Sequence, residues 1–320
     1  MHEDTFTMPS PLSLLSKPLS LLSLLYEFSE SDIPTFVLPN SAFGLLASLS
    51  APLLLENIPT PPPLLNLLLS AVPRMLLFNW TNVFVFELAN QRLPDSVKED
   101  TANKPWRPLP RGRITSEQTR RLLLVSVPVV LGASVAMGVG VESGLILLLA
   151  WMYNDLGGGD EVSRDVIIAV AYDVFLVASL RIGVLSTSSA VSPSQALPST
   201  ISISKTGYTW LGIIGLVIAT TMQVQDLKDQ VGDKLRNRKT WPIVLGDSFS
   251  RKWIAACIPF WSVVCVVFWK TPVLVSLVPI VLGLWVSLTV LLGSGDARAW
   301  RGWCLWQVAL YVLPIWRSIH

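Results

Sequence analysis

The chain has 320 residues, of which 51% are hydrophobic and 14% charged, with a formal net charge of +2 and a mean hydropathy of +0.54. A soluble domain carries about 25% charged residues, so composition excludes a globular enzyme on a single anchor. It points to an all-α, polytopic membrane protein. The three cysteines, Cys257, Cys265 and Cys304, lie in apolar runs without metal-ligand spacing, and the two histidines, His2 and His320, stand near the ends. That pattern argues against a disulfide scaffold, a histidine metal site and a catalytic histidine. The lipid bilayer is the expected partner, and no nucleic acid is.

Residues 1–32 hold a leucine and serine repeat with no basic stretch before it, which reads as an interfacial segment rather than a signal peptide. The remainder, 33–320, reads as one transmembrane domain. Apolar runs of about 20 residues mark spans, and they fall near 33–55, 64–90, 119–140, 142–156, 164–185, 207–226, 252–269, 272–292 and 299–316, nine in all. The Pro-rich turn from Pro59 to Pro63 is a connector, and the Ser- and Pro-rich stretch 186–205 reads as a flexible non-cytosolic loop. Of the 24 Lys and Arg, only Lys205, Lys270 and Arg317 fall on the side of that loop, while Arg74 and Arg181 lie inside spans. This bias places the loops after spans 2 and 6 in the cytosol.

Those two loops carry the chemistry. After span 6, Asp226, Asp229 and Asp233 recur at i, i+3 and i+7, a spacing that puts three carboxylates on one helical face. Three like charges so close need a cation among them. Hard oxygen ligands suit Mg²⁺, which binds through one or two carboxylates plus phosphate oxygens. Arg236, Arg238 and Lys239 follow and supply the positive charge a phosphate group needs. After span 2, residues 87–109 again mix carboxylates with Lys and Arg. Two such clusters at the same end of a bundle would grip one diphosphate between metal ions, with the metal as Lewis acid and the basic residues neutralising the leaving group.

These motifs resemble the UbiA superfamily of intramembrane prenyltransferases, from about Asp32 to the last span. The match is carried by Asp226, Asp229 and Asp233, the last of them in the run Gly232-Asp233-x-x-x-x-Arg238-Lys239-Thr240, and by Asn103-Lys104-Pro105-Trp106-Arg107-Pro108-Leu109. The family's first motif, Asn-x-x-x-Asp-x-x-x-Asp, is approached by Asn90, Asp95 and Glu99 with one extra residue and a Glu for Asp; Asp100 and Glu87 are neighbouring candidates. Asn90-Gln91, the Asn103–Pro108 run and Tyr153-Asn154-Asp155-Leu156-Gly157-Gly158-Gly159 are similar to a fungal branch that includes membrane-bound sesquiterpene and cyathane-type diterpene cyclases.

The resemblance implies about nine helices around a lipid-open cavity. It implies Mg²⁺ on Asp226, Asp229 and Asp233 and on Asp95, Glu99 and Asp100, with Asn90 in the same catalytic set. It implies a prenyl diphosphate held by Lys104, Arg107, Arg238, Lys239, Asn154 and Asp155. The 153–159 run reads equally as a helix end with a glycine cap. The implied activity is ionisation and cyclisation of a C15 or C20 prenyl diphosphate, or transfer of that chain to an aromatic or polyketide acceptor. With no histidine in the spans to orient an acceptor, cyclisation is favoured, although Asp155 or Asp173 could serve a transferase. The endoplasmic reticulum is the expected membrane. A transporter would instead use intramembrane charges such as Arg74, Asp173 and Arg181, and a scaffold would leave the Asp spacing without purpose. Asp173 and Arg181, eight residues apart, share a helical face and are candidates to pair through a third group. Trp80, Phe84, Phe86, Trp151, Tyr153, Tyr172 and Trp210 are candidates for cation–π contact with a carbocation.

Overall fold

The computed structural model describes residues 18–188 and 201–319, so most of the Ser/Pro loop lies outside the described residues. Among them the structure is helical with one isolated bridge, between Leu55 and Ile203. A short helix α1 (Pro18–Ser29) and α4 (Pro94–Asn103) flank the bundle. Six helices are long and apolar enough to cross a membrane: α3 (Leu64–Gln91), α5 (Ser116–Ala136), α7 (Arg164–Ser188), α8 (Lys205–Gln225), α10 (Asp247–Trp269) and α11 (Val273–Leu292). Three more complete the expected series. α2 (Ile33–Leu49) and the 15-residue α6 (Gly140–Asn154) are shorter, and α12 (Asp296–Ile319) has the length but carries Asp296, Arg298 and Arg301 in its first two turns. A seven-residue helix α9 (Gln230–Arg236) lies between α8 and α10.

Lipid gives helices no hydrophobic reason to associate, so close packing and interhelical hydrogen bonds must hold the bundle. Asn79 Nδ2 donates to Ser41 Oγ at 2.9 Å and to Ser179 Oγ at 3.1 Å, tying α3 to α2 and α7. Ser143 Oγ donates to Asn82 Oδ1 at 2.8 Å and brings α6 to α3. The indoles of Trp303 and Trp306 donate to Thr221 Oγ1 and Ser262 Oγ, both at 2.8 Å, locking α12 to α8 and α10. α1 lays Leu24 and Phe28 on Phe84 and Leu88 of α3. Its end is fixed by Gln91 Nε2 on the Phe28 carbonyl at 2.8 Å. The segment before span 1 is therefore packed on the bundle from Leu24 onward.

The intramembrane charges are arranged differently from the sequence expectation. Arg181 pairs with Glu142 of α6, not with Asp173. Asp173 instead abuts the backbone of α8 at Gly215, and Arg74 is exposed on the outside of α3. Facing the same way on one helix therefore does not bring Asp173 and Arg181 into one site.

The tightest helix contact is at Gly183 of α7. A Cβ there would lie 1.9 Å from Ser48 Oγ and 2.9 Å from Met75 Cε. Gly183→Ala is expected to destabilise the protein by about 1–3 kcal/mol, the usual cost of overpacking. Ser48→Ala in the same background should recover part of the loss, because the nearest blocking atom is the hydroxyl. A double-mutant cycle on thermal midpoints in detergent measures it, and strict additivity would deny the contact.

Candidate active site

One end of the bundle opens into a cavity of about 190 Å³. Its position follows from where the helices stop. α3 ends at Gln91, α7 begins at Arg164, and α8 gives way to a 3₁₀ turn over Met222–Gln225. The acidic run does not continue α8 as one helix. Asp226 N–H bonds the Gln223 carbonyl at 3.0 Å, Asp229 N–H bonds the Asp226 carbonyl at 3.1 Å, and only Asp233 N–H, on the Asp229 carbonyl at 3.1 Å, makes an i–4 bond. Successive tight turns nonetheless keep Asp226, Asp229 and Asp233 on the cavity wall. The turn is clamped from the other loop. Asn103 Nδ2 donates to the Asp229 carbonyl at 2.9 Å, and its Oδ1 accepts from Gly232 N–H at 3.0 Å. A side chain at 232 would collide with Asn103, at 2.2 Å from its Nδ2. This explains the glycine before Asp233.

The facing wall comes from α3 and the loop after α4. Arg107 is 4% exposed and is held by Asp100 Oδ1 and Oδ2, each 3.1 Å from Nη1, and by Glu87 Oε2, 2.9 Å from Nη2; Asp32 stands 4.0 Å away. Burial works against the Arg107 charge, but Glu87 and Asp100 outweigh it and raise its pKa further. Arg164 closes the third side with Nη1 2.6 Å from Asp226 Oδ2. Arg238 is held by Glu99 at 3.0 Å and Asp160 at 3.4 Å, and lies 3.7 Å from Asp233. Arg236 shares the same two carboxylates, at 3.1 and 2.8 Å.

The residues singled out from the sequence therefore divide. Asn90, Glu99, Lys104, Arg107, Asp226, Asp229, Asp233 and Arg238 line the cavity. Asp100 stands behind Arg107, buried, with its carboxylate fully engaged by the guanidinium. Asn154 stands behind Asn90, accepting from its Nδ2 at 2.9 Å. Three more neither line the cavity nor back its wall. Asp95 is exposed and paired with Lys98, Lys239 is exposed and paired with Glu161, and Asp155 is paired with Arg92. The glycine run after Asn154 is both cap and wall support: Gly157 has φ +74°, and Gly159 packs against the ring of Tyr153, which lines the cavity. Of the aromatic candidates, Phe86, Tyr153 and Tyr172 reach the cavity. Trp80 and Phe84 pack beside α1, Trp151 faces outward and Trp210 sits in the core.

Sequence reasoning assigned no site role to Asp32, Arg164 or Asn103, and set Glu87 aside as a neighbour. Arg164 counted only as a topological charge. Its signal is an arginine at the first residue of an apolar helix, beside Asp165.

The electrostatics are unbalanced. Among the lining residues, the carboxylates Asp32, Glu87, Glu99, Asp226, Asp229 and Asp233 face the cations Lys104, Arg107, Arg164 and Arg238. Burial opposes ionisation of Asp229, but Lys104 and Lys228 outweigh it and hold its pKa below the usual carboxylate range. Burial and Lys104 lower the pKa of Lys228 in turn. Asp233 is the reverse: burial and the neighbouring Asp226 push it up to about 7 against the pull of Arg238. Its buried Oδ2 has no hydrogen-bond partner. An all-oxygen set with an orphaned carboxylate oxygen fits a hard divalent cation. Among the described residues no group of three His, Cys, Asp or Glu is placed to hold a metal ion by itself; Mg²⁺ usually binds through one or two carboxylates and completes its shell with water and substrate oxygens. Deeper in, Phe36 packs edge-on against Tyr172 and Phe175, with ring centroids 4.5 and 4.8 Å away, and these rings make an aromatic chamber below the charges.

Residues 44–310 match the UbiA prenyltransferase family. The chain is 28% identical to the fumagillin beta-trans-bergamotene synthase af520 of Aspergillus fumigatus, over 98% of this chain and 99% of that one. It is 27% identical to the diterpene cyclase eriG of Hericium erinaceus over 72% of this chain and 66% of that one, and 27% identical to the polyprenyl transferase eriF of the same fungus over 72% and 71%. In fold it is similar to a UbiA homolog from Archaeoglobus fulgidus solved bound to DMAPP and Mg²⁺, with TM-score 0.57 and 14% identity over 93% of this chain and 98% of that one. With the match spanning most of its length and the bundle built to the same plan, the chain belongs to the UbiA prenyltransferase family.

Proposed function

We propose that this protein is a Mg²⁺-dependent, membrane-embedded terpene cyclase that ionises and cyclises a C15 or C20 prenyl diphosphate without a second substrate. The observation that carries the reading is the charged mouth set directly over an aromatic chamber. A diphosphate with a long apolar tail has that same division. The full-length likeness to a bergamotene synthase and the likeness to a diterpene cyclase support cyclisation. We place the charged end in the cytosol on the bias of the basic loops, and take the endoplasmic reticulum as the membrane.

Asp226, Asp229 and Asp233, with Glu87 and Asn90 opposite, are the groups that would hold Mg²⁺. When bound, the metal supplies Lewis-acid stabilisation of the leaving diphosphate. The chain does the rest. Lys104, Arg107, Arg164 and Arg238 meet the phosphate oxygens and favour heterolysis of the allylic C–O bond, whose electron pair leaves with diphosphate. Glu99, Asp100 and Asp160 fix the arginines before substrate arrives, so little reorganisation remains at the moment of reaction. Phe36, Tyr153, Tyr172 and Phe175 line the cavity where the cation would form, where aromatic rings can stabilise it through their faces and keep water from it. A double bond of the chain attacks the allylic carbon. Loss of a proton then returns its C–H electron pair as an alkene, and the departed diphosphate is the base at hand.

A second reading, transfer of the chain to an acceptor, has the likeness to eriF in its favour. Membranes carrying the protein, given Mg²⁺ and farnesyl or geranylgeranyl diphosphate separately and no acceptor, are expected to yield a cyclic hydrocarbon from one of them by gas chromatography with mass detection. No hydrocarbon from either, with the protein inserted, would replace cyclisation by transfer.

Two carboxylates separate the cavity wall from the outer surface. Asp229→Asn should cost about 10²–10³-fold in turnover, the scale of losing one preorganised electrostatic contact. Asp95→Asn, which loses only an exposed ion pair, should stay within about twofold. Release of pyrophosphate measures both, and equal effects would break the assignment. Asp100→Asn acts through Arg107, so it should lower diphosphate affinity while leaving the Mg²⁺ requirement unchanged; a changed metal requirement would make Asp100 a ligand.

A further inference from the structure

The opposite end of the bundle carries a second charged feature. Lys205, Lys270 and Arg317, the three cations that sequence reading placed away from the basic loops, line one open recess of about 450 Å³ together with Leu53, Phe268 and Trp269. They come from three different helices. Lys205 opens α8, Lys270 caps the end of α10 with φ 51°, and Arg317 lies in the last turn of α12. All three are exposed. Among the described residues, none of them has a carboxylate within ion-pair distance, whereas exposed Lys98, Arg120, Arg121 and Lys239 at the other end of the bundle are each paired.

Helix dipoles account for two of the three. Lys270 and Arg317 stand at helix C-termini, where a positive charge is favourable. Lys205 is not accounted for. It is the first residue of a long helix, where the dipole is already positive. There Ser204 engages the N–H groups of Gly207 and Tyr208, and those of Lys205 and Thr206 remain as donors. Trp269, 3% exposed, belongs to the apolar wall of the recess. The recess thus gathers donors and positive charge against an apolar wall. Val273 and Leu274, three and four residues past Lys270, project outward at 77% and 80% exposure.

We propose that this recess binds the phosphate headgroup of an anionic membrane lipid in the leaflet remote from the active cavity. A lipid rather than a free phosphate is indicated by Leu53 and Phe268 in the wall and by the exposed aliphatic start of α11 beside it. The 21 residues from Lys205 to Asp226 put the recess about 30 Å from the acidic run at 1.5 Å per residue. The site is therefore separate from the one that handles diphosphate.

The test uses purified full-length protein in detergent and follows its thermal midpoint on titration with dioctanoyl phosphatidic acid, dioctanoyl phosphatidylcholine or inorganic phosphate. Phosphatidic acid is expected to raise the midpoint, and the other two to leave it in place. The triple variant Lys205→Gln, Lys270→Gln, Arg317→Gln should need about 100-fold more phosphatidic acid for the same shift, at the per-cation strength typical of headgroup contacts. Its Mg²⁺-dependent binding of inorganic pyrophosphate should be unchanged. Any phosphatidic acid taken up by the active cavity would act on both proteins alike. If the triple variant does not fold, Lys205→Gln alone carries the test. It should weaken the response to phosphatidic acid while leaving the lipid-free midpoint equal or higher, because it removes a cation the helix dipole opposes. Identical responses of wild type and variant, or equal shifts by phosphatidylcholine, would overturn the proposal. So would a full shift by inorganic phosphate alone, which would make the occupant a free anion, or a lower lipid-free midpoint in Lys205→Gln.

Discussion

Six carboxylates and four cations share the wall of one cavity at the end of a membrane bundle, and the rest of the site depends on that imbalance. Buried charges are costly unless they are paired. Each guanidinium here is paired: Arg107 with Glu87 and Asp100, Arg164 with Asp226, Arg238 with Glu99 and Asp160. The carboxylates outnumber them, and Asp233 is left with a buried oxygen that nothing satisfies. An anionic substrate entering alone would worsen the imbalance. A divalent cation entering with it resolves both charges at once. Under the proposed function, the same arrangement would make metal and diphosphate interdependent ligands.

The site has two layers with different work. The cavity wall presents Glu87, Asn90, Lys104 and the three aspartates of the second loop. Behind it, Asp100, Asp160, Asn103 and Asn154 fix the direction of a guanidinium, a turn and an amide. Asn103 is the least conspicuous of these and joins the two loops, since its side chain bonds the backbone on both sides of the acidic turn. Below the charges, the T-shaped packing of Phe36 with Tyr172 and Phe175 draws on α2 and α7, two helices that also meet through Ser41, Asn79 and Ser179. Aromatic packing and interhelical hydrogen bonding are thus coupled, and the chamber owes its shape to the polar contacts of the bundle.

Much of this was legible from residue order. Among the described residues, apolar runs located the six helices long and apolar enough to span a membrane and the three that accompany them, because a span needs a fixed length of hydrocarbon-compatible sequence. The Asp226, Asp229 and Asp233 spacing pointed to three side chains that share one cavity wall. That spacing assumed a helix, yet a chain of turns delivers the same three side chains, so the inference survived a wrong local structure. The other loop was harder. Asp95, Glu99 and Asp100 are close in sequence, and α4 sends one to solvent, one to the cavity and one behind Arg107. Ten residues of helix distribute neighbours around all sides, and spacing alone cannot say which side faces the cavity. Arg164 and Asp32 were out of reach for another reason. Each is a single charge at the edge of an apolar run, and only the assembled bundle brings Arg164 to the acidic turn and Asp32 towards Arg107.

The account stands on metal and diphosphate needing each other. The direct measurement is calorimetric binding of inorganic pyrophosphate to the full-length protein in lipid nanodiscs, with and without Mg²⁺. Binding that is tight with Mg²⁺, weak without it, and lost on Asp229→Asn is the predicted result. Equal affinity in the presence and absence of Mg²⁺, with Asp229→Asn indistinguishable from wild type, would contradict the charge argument on which the assigned chemistry rests.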